Sequence, residues 1–315
     1  MKQFHVATLA MLLALCSCAP PGLHPGHALA LTFEALRADT PAAPAHAAQP
    51  FRRDARLAVT WIGHATALIQ LDDKVVMTDP VFTSRVGGIS PRLVAPGLQV
   101  TELPQIDATL ISHMHFDHLS FDSLRMIASR TKALVLPEGG KNYVHDYSFD
   151  EIELDHWQSW EHDGLRITAV PVIHRGWRFG LDALWSPQSF TGYVIEYHGL
   201  SVYFGGDTAF DEADFTEAHK RFPHLDAALL PIAPVEPRAF MKRSHMDPRE
   251  AVKAFQILDA KVMVPIHFDT FINSADALGD APHMLDEAAH AAGIADRVQR
   301  LQVGEQRVLI AKSGH

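Results

Sequence analysis

One six-residue segment, His113-Met-His-Phe-Asp-His118, constrains the fold of this chain more than any other part of the sequence. It directly follows residues 107–112, an apolar run short enough to be a buried strand. A tight loop at the end of a strand lets the first two histidines point at one site, while Asp117 and His118 turn toward a second site close by. Imidazole and carboxylate ligands suit Zn²⁺ first, with iron or manganese as alternatives. The segment therefore predicts a pair of neighbouring metal sites at the end of a strand.

The composition is that of a globular enzyme-sized chain. It has 315 residues, of which 47% are hydrophobic and 20% charged, and this excludes disorder throughout. The formal net charge of −10 and the absence of a basic run argue against nucleic acid as a partner. The 20 histidines exceed what a hydrophobic core needs, and histidine is the commonest metal ligand in proteins.

The beginning of the chain resembles a bacterial lipoprotein signal. Lys2 precedes a short apolar run over residues 6–15, which is too short to span a bilayer. Leu15-Cys-Ser-Cys18 follows, and Cys18 is expected to carry the lipid. An ordinary secretory signal cut near Ala19 is the alternative. Since Cys16 and Cys18 are the only cysteines, the rest of the chain can hold neither a disulfide nor a thiolate metal site.

Three segments are predicted. They are a signal peptide at 1–17, a tether rich in proline and alanine at 18–50, and a catalytic domain at 51–315. Ala19 stands where an aspartate would favour the inner membrane, so we expect an exported lipoprotein that faces the periplasm, in the outer membrane rather than the inner.

Strand and helix patterns alternate along the predicted domain. A β-rich hairpin joins residues 57–71 to 74–78, and helices are predicted at 121–129, 247–258 and 282–292. Further strands are predicted at 133–136, 165–172, 192–197, 201–204, 227–232, 262–266 and 307–311. This order predicts an α/β (α+β) protein with sheets that are covered by helices on the outside.

The metal-ligand segment and three later residues resemble the metallo-β-lactamase superfamily, whose fold is an αββα sandwich of two β-sheets flanked by helices. In that superfamily a later histidine completes the first metal site, an aspartate bridges both metals, and a last histidine completes the second site. His174, Asp207 and His267 follow predicted strands in that order. The resemblance implies two Zn²⁺ held by seven residues, which are His113, His115, Asp117, His118, His174, Asp207 and His267.

Longer stretches resemble one branch of the superfamily, the N-acylphosphatidylethanolamine-hydrolysing phospholipase D enzymes and their bacterial relatives. The matching stretches are residues 60–66, 78–82, 174–185, 236–242 and 245–252. The chain departs from the branch after His267, where Phe-Asp-Thr replaces Trp-Gly-Thr, and after Trp185, where Ser-Pro-Gln follows. Both departures fall near the expected mouth of the site, so they affect substrate identity more than metal binding.

Further residues are expected to take part in the reaction or to support the site, and the resemblance places His245 among those that face it. Asp117 and Asp207 would orient the attacking hydroxide, and His245 would donate a hydrogen bond to a phosphoryl oxygen or the leaving group. A surface histidine beside a helix is the alternative for His245. Asp79 and His64 are expected to support the metal ligands from behind, although His64 is equally explained as a buried structural residue. Four apolar residues are candidates for a substrate rim or for ordinary core packing: Trp177, Phe179, Leu184 and Trp185.

The sequence thus predicts a lipid-anchored dinuclear metallohydrolase that acts on a phosphodiester, as a phospholipase D does. A lactonase, thioesterase or other carboxylic ester hydrolase is the enzymatic alternative, because the same hydroxide attacks a carbonyl carbon. A non-catalytic envelope lipoprotein is the alternative from another class. The sequence leaves the oligomeric state open.

Overall fold

A computed structural model describes residues 39–87, 90–186 and 188–313 of the chain. The predicted signal peptide and Cys18 lie outside the described residues, as does most of the tether. None of the described helices is long and apolar enough to cross a membrane.

The described residues form fifteen strands and five α-helices. The strands are β1 (Ala55–Gly63), β2 (Thr66–Leu71), β3 (Lys74–Thr78), β4 (Arg85–Val86), β5 (Ser90–Pro91), β6 (Ile106–Leu110), β7 (Thr131–Pro137), β8 (Asp150–Leu154), β9 (Ser159–His162), β10 (Leu165–Val170), β11 (Gly192–Tyr197), β12 (Leu200–Phe204), β13 (Ala227–Pro231), β14 (Val262–Ile266) and β15 (Gln306–Ala311). The helices are α1 (Phe121–Ile127), α2 (Glu212–Arg221), α3 (Arg238–Met241), α4 (Pro248–Leu258) and α5 (Asp280–Ala291).

Two large sheets dominate the architecture. One has seven strands in the order β15-β1-β2-β3-β6-β7-β8, and the other has six in the order β14-β13-β12-β11-β10-β9. In each sheet, antiparallel hairpins give way to parallel strands: β3, β6, β7 and β8 run parallel in the first, and β12, β13 and β14 in the second. Parallel strands end at the same edge of a sheet, so the loops that follow them gather there.

The strands have apolar residues on both faces because each sheet is covered on both sides. In β2, Ala67 and Ile69 belong to the core between the two sheets, whereas Leu68 points the other way into a second core with Leu124 and Ile127 of α1. On the second sheet, α4 packs against β13 and also contacts α2 and α5. This arrangement confirms the predicted αββα sandwich.

Helix α4 begins where the sequence predicts. The Asp247 carboxylate accepts a hydrogen bond from the Glu250 backbone N–H at 2.9 Å, Glu250 reaches back to the Asp247 N–H, and Pro248 occupies the first helical position. This cap fixes the chain directly after His245.

Two predicted boundaries are wrong. The single strand predicted at 57–71 is two strands, because Gly63 and His64 adopt positive φ angles of 122° and 57° and turn the chain. The tether predicted through residue 50 is folded at its end, since the Ala45 N–H donates to the Val303 carbonyl at 3.1 Å and Ala47 is buried. The folded domain therefore begins before residue 51.

Candidate metal centre

The predicted metal ligands lie in loops that follow four strands of the two sheets. The segment 113–118 follows β6, His174 follows β10, Asp207 follows β12 and His267 follows β14. These loops meet at one edge of the sandwich, where imidazole and carboxylate groups from both sheets come within bonding range of a common ion.

Three histidines form a first group at this edge. The Nε2 atom of His113 lies 2.8 Å from Nδ1 of His115, and Nε2 of His174 lies 3.4 Å from the same atom. The ring nitrogens of all three lie within 4.8 Å of one another, which is close enough for one cation to bind to them together.

A second group lies beside the first and contains a carboxylate. Its members are Asp117, His118 and His267, together with His64. Nε2 of His118 lies 3.3 Å from Nε2 of His267 and 3.8 Å from an Asp117 oxygen. Nε2 of His64 lies 3.0 Å from that same Asp117 oxygen, so His64 holds the carboxylate in place.

Asp207 lies between the two groups. Its Oδ1 is 3.0 Å from Nε2 of His267, and its Oδ2 is 3.4 Å from Nε2 of His118 and 4.0 Å from Nε2 of His174. Although His267 is near Oδ1, this buried oxygen has no hydrogen-bond partner among the described residues. A buried carboxylate oxygen without a partner is costly unless a cation satisfies it.

In four of the histidines, the ring nitrogen that points away from the cluster contacts another group of the protein. Nδ1 of His174 contacts the Ser244 carbonyl, and Nδ1 of His267 contacts the Ala233 carbonyl, each at 2.9 Å. A carbonyl accepts only from N–H, so Nδ1 carries a hydrogen atom in each of these two rings and Nε2 faces the cluster. His118 is held in the same way by Asp79 at 2.7 Å, and His113 contacts the Ser112 hydroxyl at 3.0 Å. This orientation of ligand histidines by their outer nitrogens is typical of metal sites, and the residues present fit a metal ion.

Asp79 has a second role in positioning the ligand loop. Its other carboxylate oxygen accepts a hydrogen bond from the Ser112 backbone N–H at 2.7 Å, and the Ser112 hydroxyl donates to Asp79 at 2.6 Å. Asp79 is fully buried, so one carboxylate holds both the start of the loop and the His118 ring.

The electrostatics of the centre favour a cation. Burial lowers the pKa of His113 and of His174 well below the ordinary value, so both rings are neutral at neutral pH. For His118, burial acts in the same direction, but the carboxylates of Asp207 and Asp79 outweigh it and raise the pKa well above the usual range. Burial tends to raise the pKa of Asp207, yet His267 and His118 hold it well below normal. A bound metal would supply the positive charge that a proton on His118 otherwise provides.

His245 lies at the edge of the centre, where one of its ring nitrogens comes within 4.8 Å of ligand atoms of His174 and Asp207. Its Nδ1 is 3.6 Å from an Asp207 oxygen and is buried without a hydrogen-bond partner among the described residues. Burial lowers its pKa to about 4, so the ring is neutral at neutral pH. The structure brings His245 to the site, as the sequence predicts, while its role stays a prediction.

The segment that follows His174 exposes large apolar side chains. Phe179, Leu184 and Trp185 are 64%, 82% and 56% exposed, and Leu181 between them is 73% exposed. Trp177 is only partly exposed. Three of the four predicted rim residues are therefore at the surface and not in the core. Leu181 is a fourth exposed apolar residue, which the sequence analysis did not predict.

Arg178 joins this exposed loop to the metal-ligand segment. Its Nη1 donates to the carbonyls of Met114 at 3.1 Å and Leu119 at 2.7 Å, and the predicted ligands His115, Asp117 and His118 lie between these two residues. The guanidinium also lies over the Phe116 ring, 4.0 Å from its centroid. The sequence predicts no role for Arg178 beyond its place in the stretch 174–185, because backbone carbonyl partners leave no pattern in the sequence.

Known proteins with similar sequences and structures agree with this fold. Residues 74–268, more than half of the chain, match the family described as the Beta-lactamase superfamily domain. A metallo hydrolase from Ignicoccus hospitalis superposes with a TM-score of 0.58 at 21% identity, covering 80% of this chain and 97% of the other. The chain is therefore a metal-dependent hydrolase of the metallo-β-lactamase superfamily, and it belongs to the β-lactamase superfamily by sequence as well as by fold.

Two relatives share a higher sequence identity with this chain. An uncharacterized Mycobacterium tuberculosis protein is 35% identical over 268 residues, covering 80% of this chain and 70% of the relative. The N-acyl-phosphatidylethanolamine-hydrolyzing phospholipase D 1 of Caenorhabditis elegans is 32% identical over 243 residues, covering 71% of this chain and 67% of the relative. These relatives bear out the resemblance to that branch.

Proposed function

We propose that this chain is a dinuclear phosphodiesterase that cleaves glycerophospholipids of the N-acylphosphatidylethanolamine type on the headgroup side of phosphorus. The observation that carries the proposal is the pairing of two ligand groups around Asp207 with an exposed apolar loop that begins at the ligand His174. The similarity to the nematode phospholipase D supports the choice of substrate.

The residues of the centre would hold two metal ions. His113, His115 and His174 would bind one, while Asp117, His118 and His267 would bind the other, and Asp207 would contact both. Zn²⁺ suits this set of nitrogen and oxygen ligands, and iron or manganese is compatible with it. When bound, the two ions would lower the pKa of a water molecule and stabilise negative charge on a phosphoryl group.

The chain's own residues would position the reacting groups. The carboxylates of Asp117 and Asp207 would accept hydrogen bonds from the attacking water and so orient it. His245 would donate a hydrogen bond to a phosphoryl oxygen or to the leaving oxygen through Nδ1, which has no other partner among the described residues. The neutral ring at neutral pH can carry the hydrogen atom that this bond needs.

The exposed loop supports a lipid substrate. Phe179, Leu181, Leu184 and Trp185 are all more than half exposed, although burying large apolar side chains is normally favourable. Aromatic and aliphatic residues that face outward beside a catalytic centre can enter the boundary of a lipid layer and bring the site to a headgroup.

Hydrolysis of a lactone, thioester or other carboxylic ester is the second candidate. Asp269 favours this second candidate. Its carboxyl group lines a cavity beside His267, and a carboxylate in the cavity wall disfavours binding of a negatively charged phosphodiester. The same water-orienting residues would serve attack on a neutral carbonyl.

Product analysis separates the two candidates. Zinc-loaded protein is incubated with vesicles of N-acylphosphatidylethanolamine, and in parallel with a panel of lactones and thioesters, and products are identified by mass spectrometry. We expect phosphatidic acid and N-acylethanolamine in equal amounts. Release of fatty acid, or turnover of the panel alone, would contradict the phosphodiesterase proposal.

We also propose that the protein is exported and anchored by a lipid on Cys18, facing the periplasm from the outer membrane. The motif around Cys18 supports this proposal. The test is to express Cys18→Ala, with Cys16→Ala as the matched control, and to follow lipid labelling and membrane fractionation. Only Cys18→Ala should lose both, and retained labelling in that variant would contradict the proposal.

A further inference from the structure

A cavity of about 310 Å³ adjoins the metal centre on the side of His64 and His267. Its lining is predominantly apolar and comes mostly from the segment that follows His267. Its apolar lining residues include Leu93, Phe271, Ile272, Leu278 and Ala281. The volume falls at the small end of the range, about 300 to 1,000 Å³, of pockets that bind small molecules.

Hydrogen bonds hold the walls of this cavity in a fixed shape. The Asp276 carboxylate accepts from the backbone N–H groups of Val235 at 2.7 Å and Glu236 at 2.6 Å, which ties the segment to the neighbouring loop. The Thr270 hydroxyl accepts from the His64 N–H at 2.8 Å and donates to the Phe268 carbonyl at 3.0 Å. The cavity is therefore supported from both ends of the segment.

The charges around the cavity restrict what it can bind. Asp269 and Asp276 are the carboxylic residues among its described lining residues, and no lysine or arginine is present there. The two carboxyl groups in the lining disfavour an anionic ligand, whereas the apolar walls favour a hydrocarbon chain.

We propose that this cavity binds an uncharged acyl or alkyl chain of the substrate. Two shared side chains place such a chain next to the chemistry: His267 is both a predicted metal ligand and a cavity wall, and His64 lines the cavity while it holds Asp117 at 3.0 Å. The assignment to the substrate rests on the proposed function, whereas binding of the chain itself does not.

Binding of the linear alcohols from butan-1-ol to decan-1-ol to the zinc-loaded full chain tests the cavity directly. Displacement of the neutral fluorophore N-phenyl-1-naphthylamine reports the affinity. We expect the affinity to rise about fourfold for each added methylene, the equivalent of ~0.8 kcal/mol, until the cavity is full. An affinity that does not depend on chain length would overturn the proposal.

Variants of the lining residues test whether the alcohols bind in this cavity. Ala281→Phe projects a ring into the cavity and should end the rise at a shorter alcohol, and Leu278→Gln should weaken binding several-fold. Leu278 is 66% exposed, so its replacement leaves folding intact even if Ala281→Phe does not fold. Met126→Gln is the matched control, an exposed apolar residue of α1 that does not line the cavity, and it should bind like the wild type. Equal binding by Leu278→Gln and the wild type would overturn the proposal.

Inhibition by the same alcohols tests whether the chain belongs to the substrate. We expect octan-1-ol to raise KM for the lipid substrate while kcat is unchanged. Inhibition that lowers kcat alone would overturn the substrate assignment. If no phosphodiester is hydrolysed but binding still grows with chain length, the proposed function fails while the cavity's preference for an apolar chain stands.

Discussion

At the scale of single residues, the orientation of each ligand histidine depends on the group that contacts the ring nitrogen facing away from the cluster. His118 is the clearest case, because its Nδ1 contacts the buried carboxylate of Asp79 at 2.7 Å while its Nε2 faces the cluster. A carboxylate in this position raises the basicity of the ring and fixes its orientation.

Replacing Asp79 should therefore weaken metal binding without removing a ligand. For Asp79→Asn we expect the affinity for zinc to fall about 10- to 100-fold, the usual effect of losing such a partner. Competition with a chromophoric chelator measures it. Asp122→Asn is the control, because Asp122 is an exposed residue of α1 paired with Arg125, and its zinc affinity should not change. Unchanged affinity in Asp79→Asn would contradict the account of this residue.

His245 should affect turnover and not metal content. For His245→Ala we expect kcat to fall by about 10²- to 10³-fold, the usual range for a lost hydrogen-bond donor to developing negative charge, with both metals retained. Elemental analysis beside the rate assay separates the two effects, and the exposed His283→Ala serves as control. A loss of metal would show that His245 is a ligand, since it also lies within ligand distance of His174 and Asp207.

The metal ligands can be predicted from the sequence, whereas the groups that orient them cannot. The ligand histidines and aspartates lie in loops directly after strands, and this pattern is visible in the sequence. The carbonyls of Ser244 and Ala233, which orient His174 and His267, carry no side-chain signature. Their part in the centre depends on the fold and could not be predicted.

At the scale of elements, the loop after β10 combines a buried anchor with an exposed apolar surface. The fully buried Asp182 accepts hydrogen bonds from the backbone N–H groups of Arg178 at 2.6 Å and Phe179 at 2.9 Å, and from the Tyr143 hydroxyl at 2.6 Å. This one carboxylate shapes the loop, and through Arg178 the loop contacts the metal-ligand segment.

Loss of the Asp182 charge should reduce stability in a pH-dependent way. Burial tends to raise the pKa of Asp182, but the hydrogen bonds from Tyr143, Arg178 and Phe179 lower it below its usual value. A carboxylate with a lowered pKa in the folded state stabilises the protein above its unfolded pKa of about 3.9, and this contribution is lost as the pH falls through the folded value.

For Asp182→Asn we expect the free energy of unfolding at pH 7 to fall by about 1.5 to 3 kcal/mol. The difference from the wild type should shrink below pH 4. Urea unfolding at both pH values measures it, with the exposed Asp163→Asn as control. A difference that stays constant with pH would contradict the role given to this charge.

The exposed end of the same loop should matter for lipid surfaces. For Trp185→Ala we expect lower activity on vesicles, a changed preference among lipid substrates, and full metal content. Activity on a soluble short-chain analogue should stay close to that of the wild type. Trp160→Ala on β9 is the matched control, and equal loss of activity on vesicles and on the soluble analogue would contradict a surface role for Trp185.

Sequence patterns predicted the buried elements and missed the polar ones. Strands such as β11 and β13 are nearly continuous apolar runs, so they are visible in the sequence. Helix α2 was not predicted, because among its ten residues only Phe215 and Ala218 are buried. Strands β8 and β9 carry mostly charged or exposed residues at sheet edges, where apolar alternation is weak.

At the scale of the whole molecule, the two sheets contribute different halves of one centre. The first sheet supplies the segment 113–118 after β6, and the second supplies His174, Asp207 and His267. Neither sheet can bind two metals alone, so the centre depends on how the sandwich is packed. Asp207 should be the residue on which both sites depend, because it lies within 4.0 Å of ligand nitrogens from both groups.

The number of metal ions per chain tests the central claim most directly. The protein is loaded with zinc, desalted and measured by elemental analysis, beside Asp207→Asn prepared in the same way. We expect two equivalents in the wild type, and a reduced content with no activity in the variant. One equivalent or none in the wild type, or two equivalents with full activity in Asp207→Asn, would contradict the dinuclear assignment.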